Sequence, residues 1–162
     1  MTVFNRIKCL LLLALSVLLF SGGFSAKNDI EILEKALQKA LGERTNYGAR
    51  RVVKLETSVT GQENTLLILI NEDRSFNKAG LRHNALTDAI KTLTVTESWG
   101  WADKIDRVKI LETLVPQGGK EAHLVFSCSI SSQVLARVDW ASMKPSTVQK
   151  YLDQATFHEL KK

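Results

Sequence analysis

The side chains best suited to nucleophilic chemistry are Cys128, which stands alone beyond the amino-terminal apolar run, and three histidines, His83, His123 and His158. A thiol activated by an imidazole base would make a small thiol- or histidine-dependent hydrolase. In HLVFSCS, however, His123 and Cys128 are five residues apart. On a strand, an odd separation puts two side chains on opposite faces. Cys128 keeps step with Leu124, Phe126 and Ile130, the apolar face, where a cysteine serves as a small core hydrophobe. His83 falls on the apolar stripe of a helical segment, the usual place for a hydrogen-bonded core or boundary histidine. His158, with Glu159 beside it, lies in the tail.

Carboxylates offer little more by spacing. Glu72 and Asp73 follow an apolar strand and precede a helix expected to start at Ser75, where negative charge favours the helix N-terminus. That role is preferred to a two-carboxylate hydrolase. There is no HExxH, CxxC, G-x-G-x-x-G, phosphate-binding loop or G-x-S-x-G elbow. No His, Cys, Asp and Glu cluster has metal-site spacing. The expectation is therefore a non-enzymatic chain with no catalytic, cofactor-binding or metal-ligating residues.

The aromatic stretch TESWGWADKID is the remaining candidate. Trp99 and Trp101 flank Gly100, and each ring can bury about 150–250 Å². They either fold back over the sheet or present a platform to a protein, glycan or lipid, and they are the candidate interaction residues. Trp140 follows Leu135 and Val138 at helical spacing and is expected in the core.

The elements that must position these groups begin after residue 26. Arg6 and Lys8, the apolar run Cys9–Phe20 and the small residues of SGGFSA read as a secretory signal. The run has 12 residues, against about 20 for a bilayer-spanning helix. A cut after Gly23 or Ser25 puts small residues at −3 and −1, and no cysteine stands where a lipoprotein would need one. The chain is expected to be exported, periplasmic or extracellular, without a stable transmembrane span after cleavage, and membrane-anchored only if the signal stays. Setting aside Arg6 and Lys8 lowers the net charge from +5 to +3, too mild to indicate nucleic acid. The densest basic group, Arg50, Arg51 and Lys54 in ARRVVK, is expected at solvated strand ends. With Cys128 alone no internal disulfide can form, and residues 27–162 must hold together as one domain through a hydrophobic core.

Within that domain, NDIEILEKALQKALGE repeats apolar residues at helical spacing, with Asn28 or Asp29 as cap and Gly42 as stop. RRVVKLETSV alternates with Val53, Leu55, Thr57 and Val59 on one face. TLLILIN is apolar on both faces, as in a central strand. A long helix follows, with Phe76, Ala79, His83, Leu86, Ile90 and Leu93 on its apolar stripe. DRVKILETLV and KEAHLVFSCSI flank the turn PQGG and form a hairpin. SSQVLARVDW and PSTVQKYLDQA read as short helices, the second with a Ser146–Gln149 capping box. The order α-β-β-α-β-β-α-α predicts an α+β fold, with helices on a four-stranded, mainly antiparallel sheet made of two hairpin-like pairs.

ALGERTNYGARRVVKLE, LLILINEDRSFNKAGL and the later RVDW together resemble a group of small exported or membrane-anchored bacterial α+β domains, hypothetical proteins of uncharacterised function. The similarity covers roughly Ala40 to Tyr151 and lies in spacing rather than in a catalytic motif. It implies the fold and the exported location, and carries no functional residues. The expected function is a binding module acting on a protein or cell-envelope component.

Overall fold

A computed structural model describes residues 26–115 and 121–158. The expected secretory signal lies outside them except for Ala26, as do PQGG and the last four residues. Helix α1, Ala26–Leu41, buries Leu33, Leu37 and Leu41, one turn apart on one face. It starts ahead of Asn28 and Asp29, and Gly42 (φ 93°) supplies the left-handed residue that ends it. Strands β1 (Val52–Thr60) and β2 (Glu63–Asn71) form an antiparallel hairpin. Helix α2 is Lys78–Ser98, followed by a 3-10 turn at Trp101–Asp103. Strands β3 (Arg107–Leu114) and β4 (His123–Ser131) are an antiparallel pair, as expected. Two short helices, α3 (Ser132–Arg137) and α4 (Pro145–Val148), lead to β5, Asp153–Phe157.

The fold is α+β with one mixed sheet in the order β1-β2-β3-β4-β5, and it corrects the expectation of a four-stranded, mainly antiparallel sheet in two ways. First, β2 and β3 run parallel. The 21-residue α2 is about 31 Å long at 1.5 Å per residue. That matches a nine-residue strand at about 3.3 Å per residue, so the helix returns the chain to the end of the sheet where β2 began. A second hairpin pairing between β2 and β3 was therefore not available to the chain.

Second, residues 153–157, expected in a helix and tail, form a fifth strand against β4. The helical stretch stops earlier, at a 3-10 turn over Gln149–Tyr151, and Pro145 rather than a capping box opens α4, whose N-cap is Lys144.

The core lies between the helices and one face of the sheet. Leu66, Ile68 and Ile70 of β2 sit beside Val108 and Ile110 of β3, and Phe126, Cys128 and Ile130 of β4 complete the layer. On the other face Leu67, Leu69 and Leu111 are half-buried and Lys109 is exposed. The apolar appearance of β2 on both faces thus reflects its flanking neighbours β1 and β3 as much as its cover. A bulge between Val52 and Lys54 moves Val53 out to solvent and leaves Val52 in the core, reversing the expected phase at the start of β1. No described helix is long and apolar enough to cross a membrane.

Candidate functional site

The alternation that builds the core also carries acid into it. Along β2 the core-facing series Leu66, Ile68, Ile70 continues in steps of two to Glu72, just past the strand end. Along β3 the series Val108, Ile110 continues to Glu112. In the parallel register Ile70 lies opposite Glu112, and the Glu72 N–H donates to the Thr113 carbonyl at 2.7 Å. Both glutamates therefore reach the same layer at the carboxyl ends of adjacent parallel strands, and both are fully buried. Helix α2 lies over them and contributes Asp88, 3% exposed. One carboxylate oxygen from each of Glu72, Asp88 and Glu112 lies within 4.8 Å of the other two.

The buried guanidinium of Arg51 answers this charge, with the half-exposed Lys91 adding a second cation 3.9 Å from Asp88 Oδ1. Arg51, 2% exposed, donates from Nη2 to Asp88 Oδ2 at 2.5 Å. It also donates from Nη1 to the Asn71 carbonyl at 2.9 Å and from Nε to the Leu41 carbonyl at 3.3 Å. Its Nη1 lies 3.4 Å from Asp73 Oδ2. Arg51 thereby ties the end of α1, the end of β2 and the middle of α2 together. No N–H or hydroxyl group of the described residues donates to either oxygen of Glu72 or Glu112. The hydrogen bond open to the pair is one in which a proton held by Glu112 is offered to Glu72. Burial holds the Glu112 carboxyl well above the usual carboxylate range, and the neighbouring Glu72, Asp88 and Cys128 push it further. Burial likewise pushes Glu72 up to about 7, opposed by the bond from Glu112. Asp88 is raised by burial too, against the pull of Arg51. Such a cluster can hold protons or a hard cation, whereas full burial keeps it from touching a substrate directly.

Glu72 was expected to be a helix-end charge, but α2 starts at Lys78 with Asn77 as its cap, whose side chain accepts from the Gly80 N–H at 2.7 Å. Arg51 was expected at a solvated strand end and is instead interior. The signal that could have found the cluster is parity: Glu72 and Glu112 each extend an apolar period-two series.

The two candidate interaction residues part company. Trp101 is 4% exposed and belongs to the core, whereas Trp99 is 51% exposed. Gly100, at φ 68°, makes the left-handed turn that separates them, its N–H donating to the Glu97 carbonyl at 2.8 Å. Trp99 borders a groove of about 670 Å³ between α1 and the end of α2, with Ile32, Ala36 and Val95 on its apolar part and Lys35 and Lys39 as its charged residues. Trp140 is in the core as expected, its indole N–H donating to the Leu135 carbonyl at 2.8 Å.

The nucleophile candidates stay apart. Cys128 is buried and its thiol is pushed up to about 12 by burial. His83 is exposed rather than on the core stripe, because α2 turns Ala85, Leu86, Ala89 and Leu93 inward and Phe76 precedes the helix in solvent. His123 is exposed, and His158 Nε2 lies 3.0 Å from Ser127 Oγ. Family models, curated proteins and solved structures yield no match to the chain. Its class thus rests on its own geometry: an α+β domain with a mixed five-stranded sheet and a buried carboxylate cluster between sheet and helix.

Proposed function

We propose that the chain is an exported, non-enzymatic binding domain that takes an acidic segment of a protein partner into the groove beside Trp99. The observation that carries this reading is a half-exposed tryptophan next to an apolar groove whose charged residues are both lysines. Covering the open half of a ring of about 250 Å² at about 25 cal/mol per Å² contributes on the order of 3 kcal/mol, enough for an anchor contact. Lys35 and Lys39 then select an acidic partner and speed its approach. A nucleic-acid partner draws no support from the mild net charge of residues 27–162. The alternative, a thiol- or histidine-dependent hydrolase, draws less support, since Cys128 is buried and His83 lies in solvent.

The test is a photo-crosslinking residue at Ala36 in the natively expressed protein, with the crosslinked peptide mapped by mass spectrometry. An acidic segment that is lost in Trp99→Ala and in Lys35→Glu/Lys39→Glu supports the reading. A crosslink that survives both changes, or none at all, overturns it. The intact mass of the mature chain tests export: cleavage after Gly23 or Ser25 with no added lipid is expected.

A further inference from the structure

The carboxylate cluster is independent of the Trp99 groove, and we infer that Glu72, Asp88 and Glu112 form a site for one oxygen-preferring divalent cation, Ca²⁺, Mg²⁺ or Mn²⁺. Geometry comes first. Three oxygens from three elements lie within 4.8 Å of one another. Oxygens on opposite sides of a cation with bonds of about 2.1–2.5 Å are separated by about 4–5 Å. The ligands come from the end of β2, the middle of α2 and β3, so a bound ion would fasten the helix to the sheet.

The second observation is independent of that clustering. Glu72 and Glu112 are both 0% exposed, and apart from a proton shared between the two, their four carboxyl oxygens have no hydrogen-bond donor among the described residues. Buried carboxylates are ordinarily supplied with donors, and orphaned ones facing a third acid are the arrangement a cation completes. Charge points the same way. The three carboxylates with Asp73, Arg51 and Lys91, the charged groups paired around them, sum to −2 when ionised, which one divalent ion neutralises. Arg51 does not compete for the glutamates, because its fork is taken by Asp88 and by the Asn71 and Leu41 carbonyls. The donor set is all carboxylate, which suits hard cations rather than Zn²⁺ or Cu²⁺. The competing occupant is a pair of protons.

The experiment uses the mature chain, stripped with EDTA and dialysed at pH 8, where proton competition is weakest. Direct Mn²⁺ binding is followed by electron paramagnetic resonance, and thermal unfolding is measured with Ca²⁺, Mg²⁺ and Mn²⁺ added singly. The expected result is one ion bound per chain and a rise in Tm of about 5 °C or more with at least one cation. Glu112→Gln and Glu72→Gln, each neutral and near-isosteric, should weaken that binding at least tenfold while the chain still folds. If the wild-type chain binds none of the three ions and its Tm is unmoved, the cluster is a proton-sharing core and the inference fails. Equal binding by wild type and a folded Glu→Gln variant overturns it too. The Mn²⁺ measurement on the wild-type chain decides the matter if neither variant folds.

Discussion

Arg51→Met removes the buried cation facing the acids while keeping most of the apolar stem, and leaves Asp88 only the half-exposed Lys91, whose Nζ is 3.9 Å from Asp88 Oδ1. Asp88, with a side chain 4% exposed, would lose a partner at 2.5 Å. Breaking a buried pair from one side costs about 3–5 kcal/mol, because the remaining charge stays desolvated. The Asn71 and Leu41 carbonyls each lose a donor, adding about 1 kcal/mol apiece. The total, about 5 kcal/mol or more, is a large part of the stability of a typical domain. Asp88 has an escape, since it can take a proton. Burial already raises it and Arg51 is the main opposing influence, so the variant raises it further. A carboxyl raised in the folded state contributes stability at low pH that is lost as pH rises through its folded value. The penalty of Arg51→Met should therefore be smaller at pH 5 than at pH 8. Urea unfolding followed by tryptophan fluorescence at the two pH values measures both. Arg51→Met/Asp88→Leu should recover more than half of the loss at pH 8. A single-variant loss under about 1 kcal/mol at pH 8, or no dependence on pH, would refute the account of Arg51 as the charge partner of the core.

In chelator, the wild-type chain should lose stability as pH rises from about 4.5 through about 7, because Glu72 holds its proton longer folded than unfolded; Glu112, Asp88, Arg51 and Asp73 face it, and urea midpoints for Glu72→Gln should show a flatter profile. Trp101→Ala should cost about 3–5 kcal/mol and Trp99→Ala less than about 1 kcal/mol, measured by the same unfolding curves, since only the first ring is enclosed. Cys128 should resist a maleimide in the native state at pH 7.5 and react fully in urea, as read by mass; rapid native labelling would contradict a buried thiol pushed up to about 12.

What the sequence disclosed and what it withheld differ in physical kind. Apolar patterning is a local property, and it marks α1, α2 and the first four strands, β2 by an unbroken apolar run and the others by an apolar face, although the first residues of the stripe expected for α2, Phe76, Ala79 and His83, are exposed. The direction of β3 is not local. It follows from the match between the length of α2 and that of β2, which fixes where the chain re-enters the sheet. Residues 153–157 escaped because DQATF is short and polar at its start, and Gln154 takes a φ of 51°, so neither alternation nor propensity marks the strand.

The carboxylate cluster escaped for a related reason. A glutamate in a core looks like a glutamate on a surface until something lands on it. Glu72 stands beside Asp73 and reads with it as a charge at the start of the following helix, although its own partners in phase are Ile70 and Ile68. Glu112 sits between Ile110 and Leu114 in the same way. On α2, Asp88, Thr92 and Thr96 recur at four-residue steps and are all buried, a polar stripe beside the apolar one. Such a stripe is costly unless its groups are paired, and Thr96 settles its hydroxyl on the Thr92 carbonyl at 2.7 Å. Parity would have turned Glu72 and Glu112 toward one layer, and helical phase would have set Asp88 against it. The sequence holds each half of that argument, but only the parallel register of β2 and β3 joins the halves. A reading that pairs the strands as hairpins leaves the two glutamates apart, and with them the need for Arg51 in the core.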